Sequence, residues 1–289
     1  MKSSFPLWMK VPLKTLRWEA RRWIAGLRWG FGYQASLPAV VGNAMPKSGS
    51  HLIIQVLQGL TSIAPFVNPG FPPLTRAEDN RKLDDAETVR NLQRLRAGDI
   101  AYGYLQAREP FLSLLTQPKY ATIFVYRDPR DMLVSHVFYA TQIHRGHGMH
   151  AYYTQRLQDM EQRLNAAIYG VDEPDARLSG VRQKYLDYLG WLETPGVLCV
   201  RFEDLILNRR QALSRILAYL EERGFECRVP QERALTALEQ AIVPRRSGTF
   251  RKAQPGNWRE YFSEANKIAF KNVAGDLLIR LGYEKDQDW

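Results

Sequence analysis

Val40-Val41-Gly42-Asn43-Ala44-Met45-Pro46-Lys47-Ser48-Gly49-Ser50-His51-Leu52-Ile53-Ile54 sets an apolar run, a proline, a lysine and a Ser-Gly-Ser turn directly before an aliphatic helical pattern. That order predicts a strand entering a helix through a short polar loop, with the helix continuing over Gln55–Thr61. Such a loop suits a phosphate group. The unpaired N–H groups of the first helical turn and the positive end of the helix dipole face whatever precedes Ser50, and Lys47 adds a full charge. The same residues also describe a plain strand–helix connection with a surface lysine, and a short motif alone does not choose between the two. The common ATP-binding loop does not fit, because it needs glycine immediately before its lysine and this chain has Pro46 there. A nucleotide-kinase-like phosphotransferase is therefore disfavoured.

Two further stretches bear on the choice. Ile123-Phe124-Val125-Tyr126 is a β-rich run that ends at Arg127-Asp128-Pro129-Arg130-Asp131, after which an apolar helical pattern resumes. Asp128 suits a helix N-cap and Pro129 the first helical position, so Arg127 falls on the loop at the end of the strand. Ser135 follows about two turns later on the face of Asp128, where its hydroxyl and the Arg127 guanidinium can converge on one phosphate. An ordinary capped helix start has the same appearance. Near the C-terminus, Phe250-Arg251-Lys252-Ala253-Gln254-Pro255-Gly256-Asn257-Trp258 describes a basic, flexible loop that can close over an anion or lie as solvated surface charge.

Taken in order, the three stretches resemble the cofactor motifs of sulfotransferases that use 3′-phosphoadenylyl sulfate, PAPS. Pro46–Ser50 resembles the family's 5′-phosphosulfate loop, usually Pro-Lys-Ser-Gly-Thr-Thr-Trp, with Ser50, His51 and Leu52 in the last three places. Arg127 and Ser135 reproduce the eight-residue spacing of its 3′-phosphate motif. The basic loop resembles the C-terminal Arg-Lys-Gly-x-x-Gly-x-Trp signature, with Ala253 replacing the first glycine. Val200–Leu205 resembles the strand and acidic pair that follow, with Phe202 where tyrosine is frequent. The resemblance implies that Lys47, Ser48, Gly49, Ser50 and His51 hold the 5′-phosphosulfate, that Arg127, Ser135, Arg251 and Lys252 hold the 3′-phosphate, and that all meet at one nucleotide. Lys47 is then the cation that meets charge growing on the bridging oxygen of the leaving phosphate.

Family members commonly use a histidine as base at the end of the second strand, where this chain has Tyr104 in Ala101-Tyr102-Gly103-Tyr104-Leu105. A phenol is a poor base at neutral pH. Glu109 and His136 are the substitutes nearest to the motifs, and a PAPS- or PAP-binding protein with little catalysis is the alternative reading. His144, His147 and His150 stand in a glycine-containing loop that no cysteine or carboxylate joins, so no metal site is assigned.

Strand-like runs at Val40–Met45, Ile100–Tyr104, Thr122–Tyr126 and Val197–Phe202 alternate with helical stretches, which predicts a three-layer α/β fold. Its parallel central sheet carries helices on both faces, in the manner of P-loop nucleotide-binding proteins, and ligands bind such sheets at the strands' C-terminal ends. Ala64–Thr75 reads as a loop and the charged Asp79–Arg96 as a partly exposed helix or mobile flap. The 289 residues suit one domain, 34–289, behind a basic amphipathic N-terminal extension, 1–33.

That extension carries seven cations against Glu19, which is +6 of the chain's net +10. Leu13, Leu16, Ala20, Trp23, Ile24 and Leu27 recur within it at helical spacing. The pattern fits a helix lying on an anionic membrane, or one packed on the domain with a basic outer face. Nucleic acid is not expected, since the cations are confined to this arm and the pocket. Two cysteines form no disulfide framework, and no apolar run is long enough to span a bilayer or serve as a secretion signal. These features lead to the expectation of a cytoplasmic chain, peripheral on the inner face of the membrane in the first of those two readings, and the resemblance implies a hydroxyl-bearing small-molecule or lipid acceptor.

Overall fold

The computed structural model describes residues 6–243, 245 and 254–289, apart from the side chains of Leu7 and Trp8. The chain divides into two units, Met1–Tyr126 with Gly190–Pro244, and Arg127–Leu189 with Arg245–Trp289.

The first unit is built on a parallel sheet of β1 (Ala39–Ala44), β2 (Ile100–Gly103), β3 (Tyr120–Tyr126) and β6 (Val197–Arg201), in the order β2-β1-β3-β6. Every residue of β1 is buried, as is β3 up to Val125, which explains why both read as continuous apolar runs rather than alternating ones. Helices flank the sheet: α3 (Ser50–Leu60) packs on β1, α5 (Phe111–Leu115) on β3, α9 (Phe202–Leu207) and α10 (Arg209–Glu222) on β6, and α11 (Gln231–Ala241) on α3. This is the parallel, helix-flanked α/β architecture that the alternating pattern predicts. Since β1 lies between β2 and β3, the chain reverses its direction of winding at β1, and the loop after β1 opens at that switch point. The helix beyond it starts at Ser50, where the Ser-Gly-Ser turn gives way to the aliphatic pattern.

The charged segment before β2 resolves into α4 (Asp85–Gln93), held at its start by a capping box in which Asp84 and Glu87 each accept from the other's backbone N–H. At the N-terminus, α1 (Leu7–Trp29) and the short α2 (Phe31–Ser36) precede β1. Among the described residues no helix is long and apolar enough to cross a membrane.

The second unit is mainly helical, with α6 (Pro129–Phe138), α7 (Met160–Tyr169), α8 (Val181–Leu189) and α12 (Glu264–Arg280). The buried Asn266 ties α12 to α7 by donating to the Glu161 carbonyl at 3.0 Å and to Asn165 Oδ1 at 2.8 Å. A hairpin of β4 (Gly170–Glu173) and β5 (Ala176–Ser179), not anticipated from the sequence, turns at Pro174-Asp175.

Candidate active site

The first unit places the phosphate loop between β1 and α3. Met45 closes a turn by accepting from the Ser48 N–H at 3.1 Å, and Lys47 stands at φ 68°. Gly49 follows at φ 102°, a left-handed conformation that L side chains adopt only under strain. It starts α3 by accepting from the Leu52 and Ile53 N–H groups. A Cβ on Gly49 would also lie 2.6 Å from the Phe202 ring, so the loop rests directly on the aromatic residue that opens α9. Ser48 is fully buried, yet its hydroxyl has no hydrogen-bond partner among the described residues. A buried hydroxyl left unpaired costs free energy unless a ligand meets it. Partial desolvation, together with the Lys47 charge, pushes the His51 imidazole below its ordinary value.

Tyr104 is brought to the same place by long-range contacts. Asn43, fully buried at the end of β1, donates from Nδ2 to the Leu105 carbonyl at 2.9 Å and accepts from the Leu105 N–H at 2.8 Å. Trp191 Nε1 donates to the same carbonyl at 2.8 Å. The chain leaving β2 is thereby pinned beside the phosphate loop, and the Tyr104 hydroxyl donates to Ser50 Oγ at 3.2 Å.

A cavity of about 650 Å³ lies alongside, lined by Val11 and Trp18 of α1, Ile54 and Leu57 of α3, Phe71 and Leu74 of the loop, and Tyr102 of β2. Its lining follows α3 along the face that carries Ser50, and β2 along the face that leads to Tyr104. The lining also carries four arginines, Arg76, Arg81, Arg90 and Arg94, and two carboxylates, Glu78 and Glu87.

The second unit supplies the other motif. Asp128 caps α6 by accepting from the Arg130 N–H at 2.9 Å, and Pro129 opens the helix. Arg127, just before the cap, is buried, and its carbonyl accepts from the Tyr185 hydroxyl at 2.8 Å. Arg127, Asp131 and Ser135 follow at four-residue spacing and so share one face, with the Arg127 guanidinium 4.0 Å from the Asp131 carboxylate. Asp131 also accepts from the Gly256 N–H and the Trp258 N–H, both at 2.8 Å, which docks the end of the C-terminal signature on α6. Burial pushes the Asp131 carboxyl above its usual value, against the pull of Arg127 and of the two amides. Arg130 stacks over Trp258, 3.9 Å from its centroid, while paired to Asp128 and Glu284. Asn257, between the two anchored amides, is buried with neither side-chain polar atom partnered among the described residues. Arg251 and Lys252 lie outside the described residues.

The other two base candidates are placed differently. Glu109 is exposed and accepts from the Ser113 N–H at 3.4 Å, a capping position at the start of α5. His136 is buried on α6, with its ring 5.3 Å from that of His147 and 5.9 Å from that of Tyr153. The histidine-rich loop is occupied with local contacts: His147 Nδ1 accepts from the Met149 N–H, and His150 Nδ1 bonds the Ala140 carbonyl. Among the described residues no cluster of three metal-ligating side chains is found.

The sulfotransferase domain model matches residues 40–282. The chain belongs to the sulfotransferase family. Among solved structures, this sulfotransferase is similar to mouse sulfotransferase SULT7A1 complexed with PAP, at TM-score 0.58 and 16% identity over 86% of this chain and 87% of that one. It is similar also to retinol dehydratase in complex with retinol and PAP, at TM-score 0.56 and 13% identity over 85% of this chain and 83% of that one. The complex of retinol dehydratase with androsterone and PAP gives TM-score 0.54, again at 13% identity, over 85% and 82%. At such identities the likeness is one of fold. No curated protein matches the sulfotransferase in sequence.

Asn43, Asp131 and Asn257 were not among the residues expected from the sequence. The signal for Asn43 was present as a polar side chain inside a strand too apolar to tolerate it unpaired.

Proposed function

We propose that this sulfotransferase moves a sulfuryl group from PAPS to the hydroxyl of an acceptor seated in the cavity beside Tyr104. The observation that carries the reading is the buried Ser48 hydroxyl, without a hydrogen-bond partner among the described residues, in a loop whose left-handed Gly49 opens α3. That is the donor set a phosphate requires. Lys47, Ser48, Gly49, Ser50 and His51 take the 5′-phosphosulfate, while Arg127 and Ser135, together with Arg251 and Lys252, take the 3′-phosphate. The PAP complexes of the similar structures support this assignment.

Lys47 stabilises the bridging oxygen as the bond from sulfur to that oxygen breaks and the acceptor oxygen forms its bond to sulfur. The acceptor proton becomes strongly acidic as the new bond forms, so a weak base suffices. Of Tyr104, Glu109 and His136, Tyr104 is the residue hydrogen-bonded to the phosphate-loop helix, and it is assigned to orient the acceptor hydroxyl and pass its proton towards water. In this reading residues 34–289 are the catalytic domain and residues 1–33 a surface-contact arm. The acceptor is borne on a lipid or glycolipid and met at the inner face of an anionic membrane, an assignment supported by the apolar residues in the lining of the cavity beside α1.

Calorimetry should detect PAP binding without ATP binding, and labelled PAPS should turn over with a hydroxyl acceptor. Lys47→Ala should lower kcat roughly 100- to 1000-fold, the scale for one lost transition-state donor. Full turnover by that variant, or ATP binding as tight as PAP, would refute the assignment.

A further inference from the structure

The orientation of α1 points to a membrane-docking surface on this protein. Helices that pack on a domain ordinarily bury their apolar stripe. Here α1 does the reverse. The side turned to the first unit carries one buried aromatic, Trp18, whose ring meets Phe71 edge-on at 5.8 Å, and is otherwise held by polar contacts: Trp18 Nε1 and Arg22 both donate to the fully buried Asp99 at 2.9 Å, and Lys14 pairs with Glu78 at 2.6 Å. Arg22 and Arg21 also donate to the carbonyls of Ala97 and Asn68. At 3.6 residues per turn, Leu16, Ala20, Trp23, Ile24 and Leu27 form a stripe about 100° wide on the opposite side. Leu16 is 67% exposed, Trp23 61%, Ile24 65% and Leu27 74%. Six of the twelve exposed large hydrophobic residues among those described fall between Val11 and Phe31.

The stripe is also finished at one end. A Cβ on Gly26 would lie 2.3 Å from the Phe31 ring, so this glycine lets Phe31 fold back on α1, where its ring meets Trp23 edge-on at 5.2 Å. Exposed Arg17, Arg21 and Arg28 run along one flank of the stripe. We infer that this face inserts into the interfacial region of an anionic bilayer, with Leu16, Trp23, Ile24, Leu27 and Phe31 among the acyl chains and the arginines against acidic headgroups. Charge favours the bilayer over a second copy of the chain, since two copies joined stripe to stripe would bring like-charged arginine rows together. Val11 and Trp18, on the opposite side of the same helix, line the acceptor cavity, so docking leaves that cavity one helix diameter from the bilayer. Only the link to a lipid-borne acceptor rests on the sulfuryl-transfer reading.

The test is co-sedimentation of the full chain with phosphatidylcholine vesicles with and without phosphatidylserine, run beside PAPS turnover on a soluble phenol. The wild type should bind the phosphatidylserine vesicles preferentially. A Leu16→Ser/Ile24→Ser/Leu27→Ser variant should lose at least about tenfold in partitioning, by the transfer cost of apolar side chains, while its turnover on the phenol is unchanged. Arg17→Gln and Arg28→Gln should each weaken binding to the anionic vesicles roughly fivefold. Vesicle binding without any PAPS turnover would leave the docking face standing and sink the catalytic reading instead. The inference is overturned if the wild type does not sediment with phosphatidylserine vesicles, if the serine variant binds them equally well, or if the wild type is a dimer that this variant converts to monomer.

Discussion

Replacing Asn43 with alanine tests whether the active-site arrangement depends on one buried amide. The side chain makes two hydrogen bonds to Leu105, and both residues are wholly inaccessible to water. Asn43→Ala leaves the Leu105 N–H without an acceptor, at a cost of about 1–3 kcal/mol for an orphaned buried donor. The Leu105 carbonyl keeps the bond from Trp191, so its share is the ordinary net value of about 0.5–1.5 kcal/mol. The sum, about 1.5–4.5 kcal/mol, is a large part of the stability of a typical domain.

The loss should appear in urea denaturation as a fall in the midpoint at unchanged slope, since the surface exposed on unfolding is the same. Function should suffer in a particular way. Release of the Leu105 backbone loosens Tyr104 against Ser50, so kcat on a hydroxyl acceptor should fall at least about tenfold, the scale of a small misplacement at a reacting centre. PAP affinity should stay within about twofold, because the phosphate loop is held separately by its own turn and by Phe202. A stability loss below about 0.5 kcal/mol would refute the account, showing that water or a shifted backbone satisfies Leu105. A loss of PAP affinity equal to the loss of kcat would refute the separation of the two parts.

Gly49→Ala should weaken PAP binding by about 10- to 100-fold, since the left-handed backbone alone costs roughly 1–2 kcal/mol and the added methyl meets the Phe202 ring; calorimetry checks it, and adding Phe202→Leu should restore only the steric part. Lys184 on α8 has a buried Nζ with no hydrogen-bond partner among the described residues, and burial pushes its ammonium down to about 8. Because the native state has the lower pKa, the unfolded chain binds more protons above that value, so stability rises with pH between about 8 and the ordinary lysine value and carries the full penalty below it. Lys184→Met should therefore stabilise the protein on the order of 2–3 kcal/mol at neutral pH, with the gain shrinking towards about pH 10 in parallel urea titrations.

The elements that were legible in the sequence are those specified locally. β1, the loop and α3 follow one another within 22 residues, and each announces itself by an apolar run, a glycine or a helical period. Asp128 and Pro129 mark the start of α6 for the same reason. What was not legible depends on partners distant along the chain. Asn43 acts through a residue 62 positions away, and Asp131 through amides 125 and 127 positions away. The hairpin of β4 and β5 did have a local signal in Pro174-Asp175, but its strands are only four residues each and carry Asp172, Glu173 and Arg177, so no apolar alternation marked them. For α1 the periodicity located the apolar stripe correctly but could not say which way it faced. Of the two alternatives it left open, the structure has the helix packed on the first unit, with its exposed side carrying both the apolar stripe and Arg17, Arg21 and Arg28.

The polar contacts that hold that orientation are specific but add little net stability. The pairs Lys14–Glu78 and Arg96–Glu19 are partly exposed, and such pairs contribute about 0–1 kcal/mol each. Asp99 is more demanding, because burial pushes its carboxyl upward even with Trp18, Arg22 and the Arg96 N–H all donating to it. A buried ion pair of this kind fixes geometry but adds little net stability over apolar packing. Turning the helix over would instead bury Leu16, Trp23, Ile24 and Leu27, worth roughly 1.5–3 kcal/mol apiece when fully removed from water. The folded chain instead buries Trp18 on the inner face and holds this stripe outward, with inner contacts specific enough to prevent rotation. Under the docking proposal an apolar phase outside the protein would cover the stripe, and the arginine row beside it would favour a phase with negative charge at its surface.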